Sequence, residues 1–135
     1  TTYYGGYIRL STNKTPTFDC LDEDLYTITG SNDGNSSLTY PIGLISADEV
    51  AYVGGVYNTN NTSYYLYTGQ TYWTMSPYYF SGTYGEAHVF GVKPNGDLYN
   101  WYAIYTAGVR PVINLRADVQ ITEGNGTSSN PYVVS

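Results

Sequence analysis

Apolar and polar positions alternate along most of this chain, and one stretch breaks the rhythm with helical spacing. Tyr3–Leu10 and Leu25–Thr29 read as strand-like pieces, followed by a polar loop from Gly30 to Ser37. Ala47, Val50 and Ala51 then share one helical face at i, i+3, i+4 spacing. Ser46 is placed to cap that helix and Glu49, three residues on, to return a bond to the cap's own N–H, a capping box. Ile45 and Val50 are positioned as a hydrophobic staple, and Gly54-Gly55 supplies a left-handed stop. The spacing therefore predicts a two-turn helix over Ala47–Val53.

Beyond residue 55 the period returns to two. Asn58–Ser63 is a polar tip, Tyr64–Tyr67 a short aromatic run, and Tyr72–Met75 a strand ending at Ser76-Pro77. His88–Val92 and Leu98–Tyr102 flank Lys93-Pro94-Asn95-Gly96-Asp97, where Asn-Gly is a strong hairpin signal. In Val109–Leu115, Val109, Pro111, Ile113 and Leu115 face one way, and Arg110, Val112 and Asn114 the other. Pro111 lacks a ladder donor, so that strand is expected to lie at an edge or to begin there. A last pair is predicted at Val119–Thr122 and Tyr132–Val134. The fold class expected is α+β, mostly antiparallel sheet with one or two short helices, in a single domain over residues 1–135.

Composition narrows the function classes. Five basic residues against eleven acidic ones leave a net charge of −6. Nucleic acid is thus an unexpected partner, since a phosphate backbone must be met by clustered Lys and Arg. No apolar run approaches the roughly 20 residues of a membrane span. Charged residues make up 12 % of the chain, about half the usual share, while 18 residues are Tyr and 15 are Gly. Solubility must then come from Thr, Ser and Asn, a mixture common on secreted and cell-surface β proteins. The start Thr1-Thr2-Tyr3 reads as mature, so a signal or anchor segment is expected to have been removed or never included. Asn-x-Ser/Thr sequons begin at Asn13, Asn35, Asn60, Asn61 and Asn125, as so much Asn, Thr and Ser produces by chance.

Three segments follow in order: Tyr40-Pro41-Ile42-Gly43-Leu44-Ile45-Ser46-Ala47-Asp48-Glu49-Val50, then Tyr72-Trp73-Thr74-Met75-Ser76-Pro77, then Gly108-Val109-Arg110-Pro111-Val112-Ile113-Asn114-Leu115. Together they resemble a family of bacterial surface domains, the DUF6273 type, found in Gram-positive gut bacteria. The ending from Gly124 to Val134 fits as well. More remotely the chain is similar to the formylglycine-generating branch of the C-type-lectin fold, through Leu44, Ser46 and Glu49 at the helix entry and Gly108 and Arg110 on a late strand. The resemblance implies a C-type-lectin-like core: a twisted antiparallel sheet, few helices, termini close together and long loops on one side. It also implies export and display, and for relatives with a prepilin-like helix, a place in a filament.

The family's catalytic chemistry does not carry over. Its copper site takes a pair of cysteines and its iron site three histidines, whereas this chain has Cys20 alone and His88 alone. One cysteine also rules out an internal disulfide, so Cys20 reads as a buried thiol. His88 reads as a structural histidine at a strand start. Asn32-Asp33-Gly34-Asn35 and the acidic run Asp22-Glu23-Asp24 lack the alternate ligand spacing of a calcium loop. No metal, cofactor or catalytic residue is expected. Arg110, on a mostly apolar strand, is expected to pair with Glu49 or Asp48 and pin helix to sheet, and Trp73 with Met75 to lie in the core. Tyr78, Tyr79, Tyr84, Trp101, Tyr102 and Tyr105, bracketed by small polar residues, are expected to border a recognition surface, since large rings give flat contacts at low entropy cost. The expected role is an exported recognition or adhesion domain at the bacterial cell surface, binding a protein or a carbohydrate. The competing expectation is a pilin-like filament subunit whose partners are copies of itself.

Overall fold

The computed structural model describes residues 1–18, 42–113, 115, 117–127 and 129–135. Cys20, the strand expected at Leu25–Thr29, the polar loop of 30–37, the acidic run and Asn114 lie outside the described residues. The elements follow as β1 (Thr2–Tyr3), a π-helical segment (Tyr7–Asn13), β2 (Ile42–Leu44), α1 (Ala47–Tyr52), β3 (Tyr72–Ser81), β4 (Glu86–Val92), β5 (Leu98–Tyr102), β6 (Pro111–Ile113), β7 (Ile121–Glu123) and β8 (Val133–Val134). Strands β1, β3, β4 and β5 form one antiparallel sheet in the order β1-β3-β4-β5. Two antiparallel ribbons accompany it, β2 with β6 and β7 with β8. The result is a β-rich α+β domain.

Helix α1 forms where the sequence places it, and for the reasons given. The Glu49 amide donates to Ser46 Oγ at 3.1 Å while the Ser46 amide donates to Glu49 Oε2 at 2.7 Å, so both halves of the capping box are made. At the other end the Gly55 amide donates to the Val50 carbonyl and the Gly54 amide to that of Ala51, which closes the helix. Ile45 and Val50 are both buried. The helix entry is fixed to β3 by two bonds: the Met75 amide reaches the Ile45 carbonyl at 2.9 Å, and the Ala47 amide reaches Ser76 Oγ at 2.9 Å.

Three elements differ from the sequence reading. The Tyr3–Leu10 strand shrinks to Thr2–Tyr3 and gives way to the π-helical turn, because Leu10 reaches the core and Tyr7 sets its ring edge-on against Tyr78. Tyr64–Tyr67 is a turn, closed by the Tyr67 amide on the Tyr64 carbonyl, with the Tyr64 hydroxyl donating to the Gly96 carbonyl. Strand β3 runs through Ser76-Pro77 to Ser81 rather than stopping there. Register shifts on both sides of Pro77 let it pass, since a bulge tolerates a residue with no ladder donor.

The core sits beneath the sheet against α1. Tyr72, Tyr78, Phe90, Val92, Leu98, Leu10, Val50 and Ile45 fill it, and Thr74 and Ser76 are buried among them on β3. Arg110 does not pin helix to sheet. Its guanidinium donates to the Leu66 carbonyl at 2.6 Å and lies over the Tyr72 ring, 4.9 Å from its centroid. The pair that holds the helix is Asp48 with Arg9, two parallel bonds of 2.8 Å, with the Thr17 amide adding a third at 2.9 Å. Strand β6 keeps the predicted alternation, but Arg110 and Val112 turn toward the protein while Val109, Pro111, Ile113 and Leu115 are exposed.

Candidate functional site

The hairpin β4–β5 sets the site. Its turn is closed by the Gly96 amide on the Lys93 carbonyl and the Lys93 amide on the Asp97 carbonyl. Gly96 has φ +78°, and a Cβ there would lie 1.6 Å from the Asn61 carbonyl oxygen, so only glycine fits. Counting outward from the turn pairs Gly91 with Tyr99, Val89 with Trp101 and His88 with Tyr102. Trp73 stands opposite Gly91 and Tyr79 opposite His88 from β3.

Successive side chains on β5 alternate, which sorts the aromatic residues into two groups. In one, Trp101 meets Trp73 edge-on at 5.9 Å and Tyr99 edge-on at 5.7 Å. Gly91 makes room for this group: a Cβ there would lie 3.0 Å from Trp101 Cε3 and 3.0 Å from the Tyr72 carbonyl oxygen. In the other, His88 is stacked between Tyr79 at 4.3 Å and Tyr102 at 5.4 Å. After β5 the chain turns, the Tyr105 amide donating to the Tyr102 carbonyl, and returns to β3, where Gly108 exchanges bonds with Thr71 and Trp73. That return segment supplies Tyr105, Thr106 and Ala107 as a wall. The two ring groups, on opposite faces of the sheet, and this wall border an open depression of about 800 Å³ at the β5 edge, within the ~300–1,000 Å³ range of small-molecule sites.

Polar groups lie among the rings. The Tyr79 hydroxyl donates to Glu86 Oε2 at 3.2 Å, and that oxygen stands 3.9 Å from His88 Nε2. His88 Nδ1 is 2.9 Å from Asn100 Oδ1, Asn100 Nδ2 donates to the Tyr57 hydroxyl at 2.7 Å, and Tyr57 shares a 2.9 Å bond with the Tyr78 hydroxyl. A polar chain thus runs from groove to core. Desolvation, and then the bond to Glu86, pushes the Tyr79 phenol above its usual range. Burial likewise raises Tyr57 and Tyr78.

Of the six aromatic residues singled out from sequence, Tyr79, Trp101, Tyr102 and Tyr105 line the groove. Tyr84 is 75 % exposed in the turn joining β3 and β4, outside the lining. Tyr78 is corrected: it is 7 % exposed, its ring edge-on to Phe90 and its hydroxyl held by Tyr57, because β3 runs on through Pro77 and keeps Tyr78 on the buried face with Tyr72, Thr74 and Ser76, while the register shift after Pro77 sets Tyr79 opposite His88. Trp73 is corrected in the opposite sense, from core to groove wall. Sequence reasoning missed Glu86, His88, Tyr99 and Asn100 as lining residues. The signal was there: the Asn-Gly turn fixes the register, and from it His88 and Tyr102 fall side by side. Among the described residues no three His, Cys, Asp or Glu side chains gather as a metal-ligating group, and no helix is long and apolar enough to cross a membrane. Comparison with family models, with curated proteins and with solved structures finds no match to this chain.

Proposed function

We propose that this chain is an exported, non-catalytic recognition or adhesion domain of a bacterial cell surface, binding its ligand through the aromatic groove. The observation that carries this reading is the set of half-buried rings around that groove, Trp73, Trp101, Tyr79 and Tyr102, held rigid by edge-on and stacked contacts rather than packed away. Rigid rings lose little entropy on binding and present flat surfaces to a sugar ring or a peptide. The lining carries one carboxylate, Glu86, whereas paired-carboxylate glycoside hydrolysis uses two. That favours holding a ligand over cleaving it. The capping box at Ser46 and Glu49, with Gly108 bridged to β3, is the basis for reading the fold as C-type-lectin-like and the chain as a DUF6273-type domain.

The test is substitution inside the groove. Trp101→Ala and Tyr79→Ala should lower affinity at least about tenfold for whatever a glycan or peptide screen captures, because each removes a stacking face. Far-UV circular dichroism should stay that of the parent domain. Unfolding of both variants would assign the rings to stability and remove the groove as the binding site.

A second reading, a filament subunit, draws on the ribbons. Ile42 and Ile113 are direct cross-strand partners and both are more than half exposed, as is Ile121 on β7. Apolar ribbon faces of this kind are suited to burial between copies. Sizing and electron microscopy separate the two: ordered fibres at micromolar concentration favour the subunit, a monomer the adhesin.

A further inference from the structure

We infer that the ligand is an extended polypeptide that adds a parallel strand to the open edge of β5 and carries a lysine or arginine side chain toward Glu86. This rests on the depression at that edge being the recognition site and names what it recognises. The argument begins with the ladder. The Lys93 amide bonds the Asp97 carbonyl and the Ala103 amide bonds the Ala87 carbonyl, so the bonds from β5 to β4 fall at Asp97, Tyr99, Trp101 and Ala103. The backbone groups of Leu98, Asn100 and Tyr102 therefore point away from β4. Leu98 is already served: its amide reaches the Val56 carbonyl at 3.3 Å and its carbonyl receives the Asn58 amide at 3.1 Å, with Tyr57 running parallel beside it. The chain then turns off at Asn58, whose φ is +56°. The Tyr102 carbonyl receives the Tyr105 amide. Among the described residues, no group meets the Asn100 amide, the Asn100 carbonyl or the Tyr102 amide.

Three open groups in this order fit a strand parallel to β5. Continuing the pattern that residues 56–58 start, the Asn100 amide donates to the carbonyl of the first ligand residue. The Asn100 carbonyl accepts from the amide of the third, and the Tyr102 amide donates to that third residue's carbonyl. An antiparallel strand needs both groups of Tyr102, and its carbonyl is taken. The other edges of the sheet are short or covered: β1 is two residues long, and the far edge of β3 is met by Ile45 at Met75 and by Gly108 at Trp73. On β5, Tyr99-Asn100-Trp101-Tyr102 holds none of the charges or prolines that keep strands from adding. All four of these consecutive residues line the depression, as happens where a strand shows its edge, with side chains of both faces, to one space. A row of donor, acceptor and donor along one edge is what a peptide backbone answers.

The register assigns the side chains. The first and third ligand residues lie on the face of Tyr99 and Trp101, the second and fourth on the face of Asn100 and Tyr102. Glu86 reaches over His88 on that second face, two strands or about 10 Å away, with its side chain 37 % exposed. Lysine and arginine span such a gap and shorter side chains do not. Among the described residues lining the depression, Glu86 is the one carboxylate and there is no lysine or arginine, while the whole chain carries −6.

The experiment is amide hydrogen exchange and nitrogen-15 NMR on the labelled domain. The probes are seven-residue Thr/Val peptides with one Lys at each position in turn, their Glu counterparts and, separately, cello- and chitohexaose. In the free domain the Asn100 and Tyr102 amides should exchange fast and those of Tyr99 and Trp101 slowly. Slow exchange at Asn100 and Tyr102 would overturn the inference, and a dimer by sizing would then give the edge to a second copy. A Lys peptide should slow both open amides at least about tenfold and shift the indole signals of Trp73 and Trp101. Its Glu counterpart should bind about tenfold more weakly, and Glu86→Gln should erase that preference. N-methylation of alternate peptide residues should abolish binding in one phase and spare it in the other. Asn100→Pro removes an outward amide and no bond to β4, and should weaken binding at least about tenfold relative to Asn100→Ala, which loses the same side-chain bonds but keeps the amide. The N-methyl series serves if the Pro variant does not fold. Peptide binding that moves the indoles but ignores the two amides and N-methylation overturns edge pairing and leaves recognition at the depression standing. Saccharides alone moving the indoles does the same. Signals that no probe moves would remove both readings.

Discussion

Asp48 joins two segments of the chain that lie far apart in sequence. It accepts two bonds from Arg9 and one from the Thr17 amide while its side chain is 6 % exposed, so it ties the first helical turn of α1 to the N-terminal segment. Breaking a buried pair of this kind costs about 3–5 kcal/mol. Asp48→Ala should therefore lower the urea midpoint steeply. Arg110→Ala removes one bond to the Leu66 carbonyl and a contact with the Tyr72 ring, and should cost about 1–2 kcal/mol. A double-mutant cycle distinguishes this pairing from the one the sequence implied. Asp48 and Arg9 should couple by well over 1 kcal/mol and Asp48 with Arg110 should be additive within about 0.5 kcal/mol. Coupling between Asp48 and Arg110 would mean that the late strand holds the helix after all. The sequence could not distinguish Arg9 from Arg110 as the partner, because both lie on segments whose apolar alternation reads alike, and only the turn at Tyr7–Asn13 brings Arg9 over the helix entry.

Elements whose signals are local were legible, and those decided by distant contacts were not. Helix α1 is announced by Ser46, Glu49 and the glycine pair, all within ten residues, and it forms with every one of those bonds. The β4–β5 hairpin is announced by Asn95-Gly96 and keeps the register that turn dictates, with Trp101 opposite Val89 and Tyr102 opposite His88. By contrast, the inward side of Tyr78 depends on β3 continuing through Ser76-Pro77, and that continuation depends on how β3 meets β4 across the sheet. The exposure of Val109, Ile113 and Leu115 likewise depends on which face of the β2–β6 ribbon meets the protein, a choice that alternation alone leaves open. The hairpin turn can be tested at its own scale. In Gly96→Ala a methyl group would collide with the Asn61 carbonyl in a backbone conformation already unfavourable for a side chain, so the loop at 58–64 must move away. The loss should exceed about 2 kcal/mol, with Tyr64 losing its bond to the Gly96 carbonyl. Because the same turn sets the groove register, ligand affinity should fall with it.

For the molecule as a whole, the unusual choice is a core built partly from tyrosine. Tyr64, Tyr72 and Tyr78 sit among the buried residues where most domains place Leu or Phe, and each phenol is given a partner: the Gly96 carbonyl, the Leu66 carbonyl and the Tyr57 hydroxyl. The arrangement leaves none of these three hydroxyls without a partner, but it makes the fold sensitive to alkali. Burial, as the leading cause, raises the phenols of Tyr57, Tyr64, Tyr72 and Tyr78 above the ordinary tyrosine value. In the unfolded chain these groups release protons from about pH 10, whereas the folded chain still holds them. The unfolded state is then favoured as pH rises, so stability contributed by these groups is complete below about pH 10 and is lost above it, as pH climbs toward the raised values. The urea midpoint should be flat with respect to these phenols between about pH 7 and 9.5 and fall steeply beyond pH 10. Tyrosinate absorbance from the buried groups should appear together with loss of the near-ultraviolet dichroism rather than before it. Replacing Tyr72 by Phe removes one of the titrating groups at the cost of its bond to Leu66, and should make the alkaline decline shallower even though the variant starts from lower stability. A midpoint that stays level through about pH 11 would mean that the core phenols reach solvent without unfolding, and with that the rigid support assigned to the groove through Asn100, Tyr57 and Tyr78 would be lost.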